Sequence, residues 1–89
     1  MYTIRYTNKF DKSVKRDIKR GLDINLLFKV TDTLAKGIPL AEKHCDHQLT
    51  GNYRGFRECH IKPDWLLLYY IDGDTIVFYK TGTHADLFG

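Results

Sequence analysis

Trp65-Leu66-Leu67-Leu68-Tyr69-Tyr70-Ile71-Asp72-Gly73-Asp74-Thr75-Ile76-Val77-Phe78-Tyr79-Lys80-Thr81 is the stretch whose reading decides the fold. Its first seven residues are nearly all apolar, as expected of a central strand covered on both faces. Asp72-Gly73 is a strong hairpin signal, because glycine supplies the positive φ that a two-residue turn requires. Thr75 to Thr81, rich in β-branched and aromatic residues, then returns as a partner strand.

Working towards the N-terminus, Gly55 to Ile61 reads as a strand joined to the central one by a tight turn at Lys62-Pro63, since proline fixes φ and cannot donate to a ladder. Leu40 to Arg54 is charged and polar, contains Gly51 and Asn52, and reads as a loop carrying His44 and His47. Ahead of it, Asp23 can cap a helix whose apolar face is Ile24, Leu26, Leu27, Val30, Leu34 and Ala35, closed by Gly37 and Pro39. Asn8 can cap an earlier helix with a stripe of Phe10, Val14 and Ile18, stopped by Gly21. Tyr2 to Thr7 alternates around Ile4 as a strand. The order is β-α-α-β-β-β: an α+β domain with a small antiparallel sheet and a helix pair packed on one face.

At 89 residues the chain is expected to be one domain, residues 1–89, because two independent cores cannot be built from so little surface. Hydrophobic content of 43% with 13% aromatics argues against disorder. No apolar run approaches the roughly 18 residues of a membrane span, and Met1-Tyr2-Thr3-Ile4-Arg5 lacks the basic and apolar regions of a signal peptide. A cytoplasmic location without membrane contact is the expectation, with Cys45 and Cys59 as free thiols. Net charge is +3, and Lys9, Lys12, Lys15, Arg16, Lys19 and Arg20 crowd the first part, either as a solvated helix face or as a nucleic-acid contact.

His60, Asp64, Lys80 and His84 are polar residues where a strand pair would gain more from aromatic and β-branched ones. The turn at Lys62-Pro63 is expected to bring His60 and Asp64 together as an acid or base with its orienter, and the returning strand to carry Lys80 and His84 towards the same end. Two histidines, a lysine and a carboxylate, without a GxSxG nucleophile motif, suit acid-base chemistry on a phosphodiester. RNA brings its own nucleophile in the 2′-hydroxyl, so a base, an acid and a cation suffice and no metal or other cofactor is required. A competing reading takes His47, His60, Asp64 and His84 as a metal set, but their spacing matches no established metal motif. Each residue also has a plainer explanation by itself, such as a turn aspartate or an edge lysine whose stem lies on apolar surface. Most aromatics must be core in so small a domain; Phe88 is the one expected to stack on RNA.

Asp46-His47-Gln48-Leu49, Gly51-Asn52-Tyr53-Arg54-Gly55-Phe56-Arg57-Glu58-Cys59-His60, Pro63-Asp64-Trp65 and Thr81-Gly82-Thr83-His84-Ala85-Asp86-Leu87-Phe88-Gly89 resemble the YafQ-like branch of the RelE/ParE toxin superfamily. The resemblance covers nearly the whole chain. It implies a microbial RNase fold and a toxin of a type II toxin-antitoxin module: an endoribonuclease that enters the A site of the 70S ribosome, beside 16S rRNA, and cuts mRNA there. A cognate antitoxin protein would inhibit it. By the same resemblance, His47, His60, Asp64 and His84 are catalytic together with Lys80, and Trp65, Phe88, Arg57 and Arg54 are candidates for substrate binding. Lys80 stands where the YafQ type carries arginine, which keeps the charge and loses the bidentate fork. The alternative from another class is a non-catalytic binding toxin of the ParE kind, or a degenerate toxin acting through protein or nucleic-acid binding; such a protein has no use for the His/Asp/Lys set.

Overall fold

The computed structural model describes residues 1–89. Strand β1 (Thr3–Tyr6) leads into helix α1 (Asn8–Lys19), helix α2 (Ile24–Ala35), a two-residue strand β2 (His47–Gln48), strands β3 (Arg57–Lys62), β4 (Trp65–Asp72) and β5 (Thr75–Gly82), and the short helix α3 (His84–Phe88). The sheet order is β1-β5-β4-β3-β2. The apolar run at Trp65 therefore does form the central strand. No helix is long and apolar enough to cross a membrane.

The α+β architecture with two long helices on one face follows the expectation, but the sheet is not wholly antiparallel. β1 pairs with β5 in parallel, Ile4 opposite Ile76 and Tyr6 opposite Phe78. A parallel neighbour needs a crossover rather than a turn; here the long excursion through both helices supplies it, and no local residue marks it.

Two layers of core lie on the two faces. On the helix side, Phe10, Leu27, Val30, Leu34 and Ala35 meet Cys59, Ile61, Trp65, Leu67, Tyr69, Ile76 and Phe78. On the other side, Leu66 and Leu68 are covered by Leu87 of α3. Residues of β4 alternate between the layers, which is the two-residue period of a strand with both faces buried.

Local details differ from the sequence reading in three places. α1 is capped by Thr7, whose hydroxyl accepts from the Phe10 amide at 3.0 Å and donates to the Tyr79 carbonyl at 2.7 Å, so the cap also binds the helix to β5. Its buried stripe is Phe10, Ser13 and Asp17, whereas Ile18 is 53% exposed; α1 is rotated from the all-apolar stripe so that two polar residues face inward. The β3–β4 turn consists of Pro63 and Asp64, and the β4–β5 turn of Gly73 and Asp74, each one residue later than its strongest sequence signal suggests.

Candidate active site

The strand register assembles the site on the sheet face away from the long helices. His47 of β2 lies opposite Glu58 of β3, Glu58 opposite Leu68 of β4, and Leu68 opposite Lys80 of β5. Residues paired across strands share a face. His47, Glu58 and Lys80 thus form one row, with roughly 10 Å of sheet between Glu58 and Lys80 at two strand spacings. His60, Leu66 and Gly82 form the next row. α3 rises from the end of β5 and lays Leu87 over Leu66 and Leu68, which brings His84 above His60, their ring centroids 5.8 Å apart.

Each of these imidazoles is held by its Nδ1. His47 Nδ1 lies 2.6 Å from the Cys45 carbonyl, His60 Nδ1 3.2 Å from the Pro63 carbonyl, and His84 Nδ1 2.8 Å from Asp64 Oδ1. All three partners are acceptors, so Nδ1 carries the proton and Nε2 holds the free lone pair of the neutral ring. The Nε2 atoms of His47 and His60 stand 3.8 and 3.6 Å from the same Glu58 Oε1. Glu58, at 6% exposure, is a buried carboxylate placed among imidazoles that become its counter-charges when protonated.

Asp64 does not serve His60, as the sequence reading had it. Its Oδ1 accepts from both the Nδ1 and the backbone amide of His84, the latter at 3.0 Å. The reason is local: Asp64 is the last residue of the β3–β4 turn, beneath the start of α3, where the first amides of a helix have no intrahelical acceptor. The amide bond and then the ring bond of His84 hold the Asp64 carboxyl below its usual range. His60 is instead positioned by the carbonyl of Pro63.

Lys80 is half-buried in the row of Glu58, and none of the chain's ion pairs engages it. Phe88 is 41% exposed and meets Tyr53 edge-on at 4.9 Å. It lies four residues after His84 and shares that face of α3. Arg54 is exposed beyond a 3₁₀ turn at Gly51–Tyr53.

Two proposed contacts belong elsewhere. Trp65 is 3% exposed, lies in the helix-side core and donates from its indole to the Thr81 hydroxyl at 3.0 Å; its aromatic face cannot meet a base. Arg57 alternates with Glu58 and so points to the helix side, where its Nε faces the Tyr69 hydroxyl at 3.2 Å and Asp46 at 3.4 Å. Glu58 was the omission. The two-residue spacing of Glu58 and His60 on one strand was the signal that could have found it. His44, unassigned from sequence, backs the site by donating from Nδ1 to the His60 carbonyl at 2.7 Å.

For a metal, the donor set also changes. Glu58, His60 and His84 bring one ligand atom each to within 4.8 Å of one another, a carboxylate and two imidazoles that suit a first-row divalent ion. Asp64, tied to His84, is outside this set.

Residues 2–89 match the family described as the bacterial toxin of type II toxin-antitoxin system, YafQ. The chain belongs to the YafQ toxin family. It is 39% identical over 87 residues to the mRNA interferase toxin YafQ of Escherichia coli K12, covering 97% of this chain and 95% of that one. The fold is similar to that in a crystal structure of the E. coli DinJ-YafQ complex, with a TM-score of 0.93 and 38% identity over the full length of both chains. It is also similar to a metal-bound toxin from Helicobacter pylori, with a TM-score of 0.91 and 47% identity over 99% of this chain and all of that one. Within the YafQ frame, the row of His47, Glu58 and Lys80 and the facing pair His60 and His84 are the features left to account for by chemistry rather than packing.

Proposed function

We propose that this YafQ-family toxin is an endoribonuclease that cuts mRNA in the ribosomal A site, with residues 1–89 acting as one domain in the cytoplasm, and that a cognate antitoxin neutralises it. The observation that carries the reading is the facing pair of imidazoles, His60 and His84, each with Nδ1 engaged and no hydrogen bond on Nε2. The activity named for its E. coli K12 relative and the E. coli DinJ-YafQ toxin-antitoxin complex support it.

The two histidines are not equivalent. The Asp64 carboxylate on Nδ1 of His84 stabilises the imidazolium that forms when Nε2 takes a proton, which suits His84 to be the base for the 2′-hydroxyl. His60, its Nδ1 on a carbonyl and its Nε2 near Glu58, is suited to hold a proton and give it to the departing 5′-oxygen. The 2′-oxygen bonds to phosphorus as the bond to the 5′-oxygen breaks, leaving a 2′,3′-cyclic phosphate and a 5′-hydroxyl. Lys80 and His47, at the two ends of their row, neutralise charge on the phosphate oxygens. Phe88 stacks on a flanking base, and Arg54 contacts the backbone. Should a metal ion bind here, Glu58, His60 and His84 would hold it and it would supply Lewis-acid polarisation of a phosphate oxygen; proton transfer by His60 and His84 does not depend on it. The test is to incubate purified protein with translating ribosomes and map mRNA ends, comparing wild type with His60→Ala and His84→Ala. Cleavage in the A site that both substitutions reduce at least 100-fold is expected; no cleavage by wild type would leave a ParE-like binding toxin as the better account.

A further inference from the structure

His84 depends on a helix of five residues, too short to hold itself in place, and the tether at its far end lies on α1. Asp86 caps its own helix: its carboxylate accepts from the Thr83 amide at 2.9 Å while its amide donates to the Thr83 hydroxyl at 3.1 Å. The same carboxylate receives both arms of Arg20, at 2.6 and 3.2 Å, and lies 3.5 Å from Arg16 Nη2. Arg16 also donates to the Thr81 carbonyl at 2.6 Å, fixing it to the last turn of β5. Arg20 caps the C-terminus of α1 four residues after Arg16, so the two side chains project to the same side. Between them Asp17, fully buried, stands 3.5 and 4.0 Å from the two guanidinium groups. The carboxyl oxygens of Asp17 and the Nε of Arg16 have no well-formed hydrogen bond, and burial pushes the Asp17 carboxyl up against the pull of the two guanidiniums beside it.

Gly82 makes room for this cluster of side chains. A Cβ there would stand 2.7 Å from Asp86 Oδ2 and collide with the Arg16 guanidinium. Arg20 holds the Asp86 carboxyl far below its usual range. These contacts lie outside the row that would meet RNA.

We propose that Arg20, with Arg16, is a positioning residue: the Arg20–Asp86 fork sets the seat of α3 and thereby aims His84 at His60. The inference rests on the proposed base role of His84 for its consequence in cleavage, and on geometry alone for its consequence in the position of the ring. Arg20 itself touches no reacting atom. Replacing it lets the Thr83 to Asp86 turn shift, lengthening the His84 to Asp64 bond and moving Nε2 off line. A displacement of about 1 Å costs up to roughly 100-fold in rate.

The experiment compares Arg20→Ala, Arg20→Lys and Gly82→Ala, the last disturbing the cluster without removing a charge. Ring ¹⁵N and Nδ1–H resonances of His84 report its seat, and single-turnover mRNA cleavage on translating ribosomes reports its use. Arg20→Ala should move the His84 resonances while those of β3 to β5 stay in place, and lower cleavage about 10- to 100-fold with little change in the concentration giving half-maximal rate. Lysine, which offers a point charge instead of a fork, should recover part of both. In a His84→Ala background, Arg20→Ala should cost under about 2-fold, because a residue acting through another is silent once that other is gone. Unchanged His84 resonances in Arg20→Ala overturn the proposal. So does an equal loss with and without His84, which would make Arg20 a substrate contact. If His84→Ala cuts at the wild-type rate, the catalytic reading falls, and the ring resonances alone decide the positioning role.

Discussion

Leu87→Ala separates the seat of α3 from the stability of the sheet. Leu87 is buried against Leu66 and Leu68 and is the one fully packed side chain of that helix. The substitution deletes three carbon groups, and at about 0.8 kcal/mol for each the docked helix loses about 2.4 kcal/mol. Core Leu→Ala changes reach about 5 kcal/mol where a rigid cavity remains. Here α3 is five residues long and can settle into the gap, so the lower figure applies. At 1.4 kcal/mol for each tenfold change, the open-to-docked ratio of α3 rises about 50-fold. Amide hydrogen exchange reads this directly: the Leu87 and Gly89 amides, bonded to the Thr83 and Ala85 carbonyls, should lose about 50-fold of protection while the Leu67 and Val77 amides change far less. An equal loss across α3 and β4 would refute the view of α3 as a separately seated unit.

Three further outcomes follow from the site. Lys80→Arg should raise single-turnover cleavage severalfold, because the guanidinium fork engages two phosphate oxygens where the ammonium presents a point charge; a fall would mean the site is shaped around lysine. Trp65→Phe should destabilise the fold by about 1–3 kcal/mol through the lost indole bond to Thr81 and the smaller ring, yet leave cleavage per folded molecule unchanged; urea unfolding beside cleavage checks this, and lost cleavage at full folding would return Trp65 to the RNA surface. The third concerns pH. Asp64 titrates below its ordinary value of 3.8 because of its bonds from His84, so the stabilisation it gives α3 is present above that value and lost as pH falls through the lower folded one. His84→Ala removes the ring bond and keeps the larger bond from the backbone amide, so it should move the Asp64 carboxyl titration, followed by NMR, part of the way up towards 3.8; no movement would mean that the imidazole is not bonded to Asp64.

The legible parts of this chain were those with a local cause. The apolar run from Trp65 could be read as a buried central strand, and Asp23 and Gly37 as helix punctuation, because cap and burial preferences act within a few residues. Pairings set by tertiary structure were not legible. Nothing in Thr3 to Tyr6 announces a parallel neighbour seventy residues away, and His47 and Gln48 lack any period because a two-residue edge strand shows none. Burial of Asp17 was hidden for the same reason: it is compensated by Arg16 on its own helix and by Arg20 at that helix's C-cap, but lies in space against Trp65. In the site, residue type and the turn pointed to His60, Asp64, Lys80 and His84 and the motif resemblance brought in His47, while partnership needed coordinates. Asp64 serves His84, Glu58 replaces it beside His60, and Trp65 and Arg57 turn to the other face.

The central claim is that His60 and His84 move protons while the RNA attacks itself. The chemistry of the cut end tests it most directly. mRNA cleaved by the wild-type protein on translating ribosomes should carry a 2′,3′-cyclic phosphate upstream and a 5′-hydroxyl downstream, and both His60→Ala and His84→Ala should make such ends at least 100-fold more slowly. A 3′-hydroxyl with a 5′-phosphate, the signature of attack by water, would contradict it.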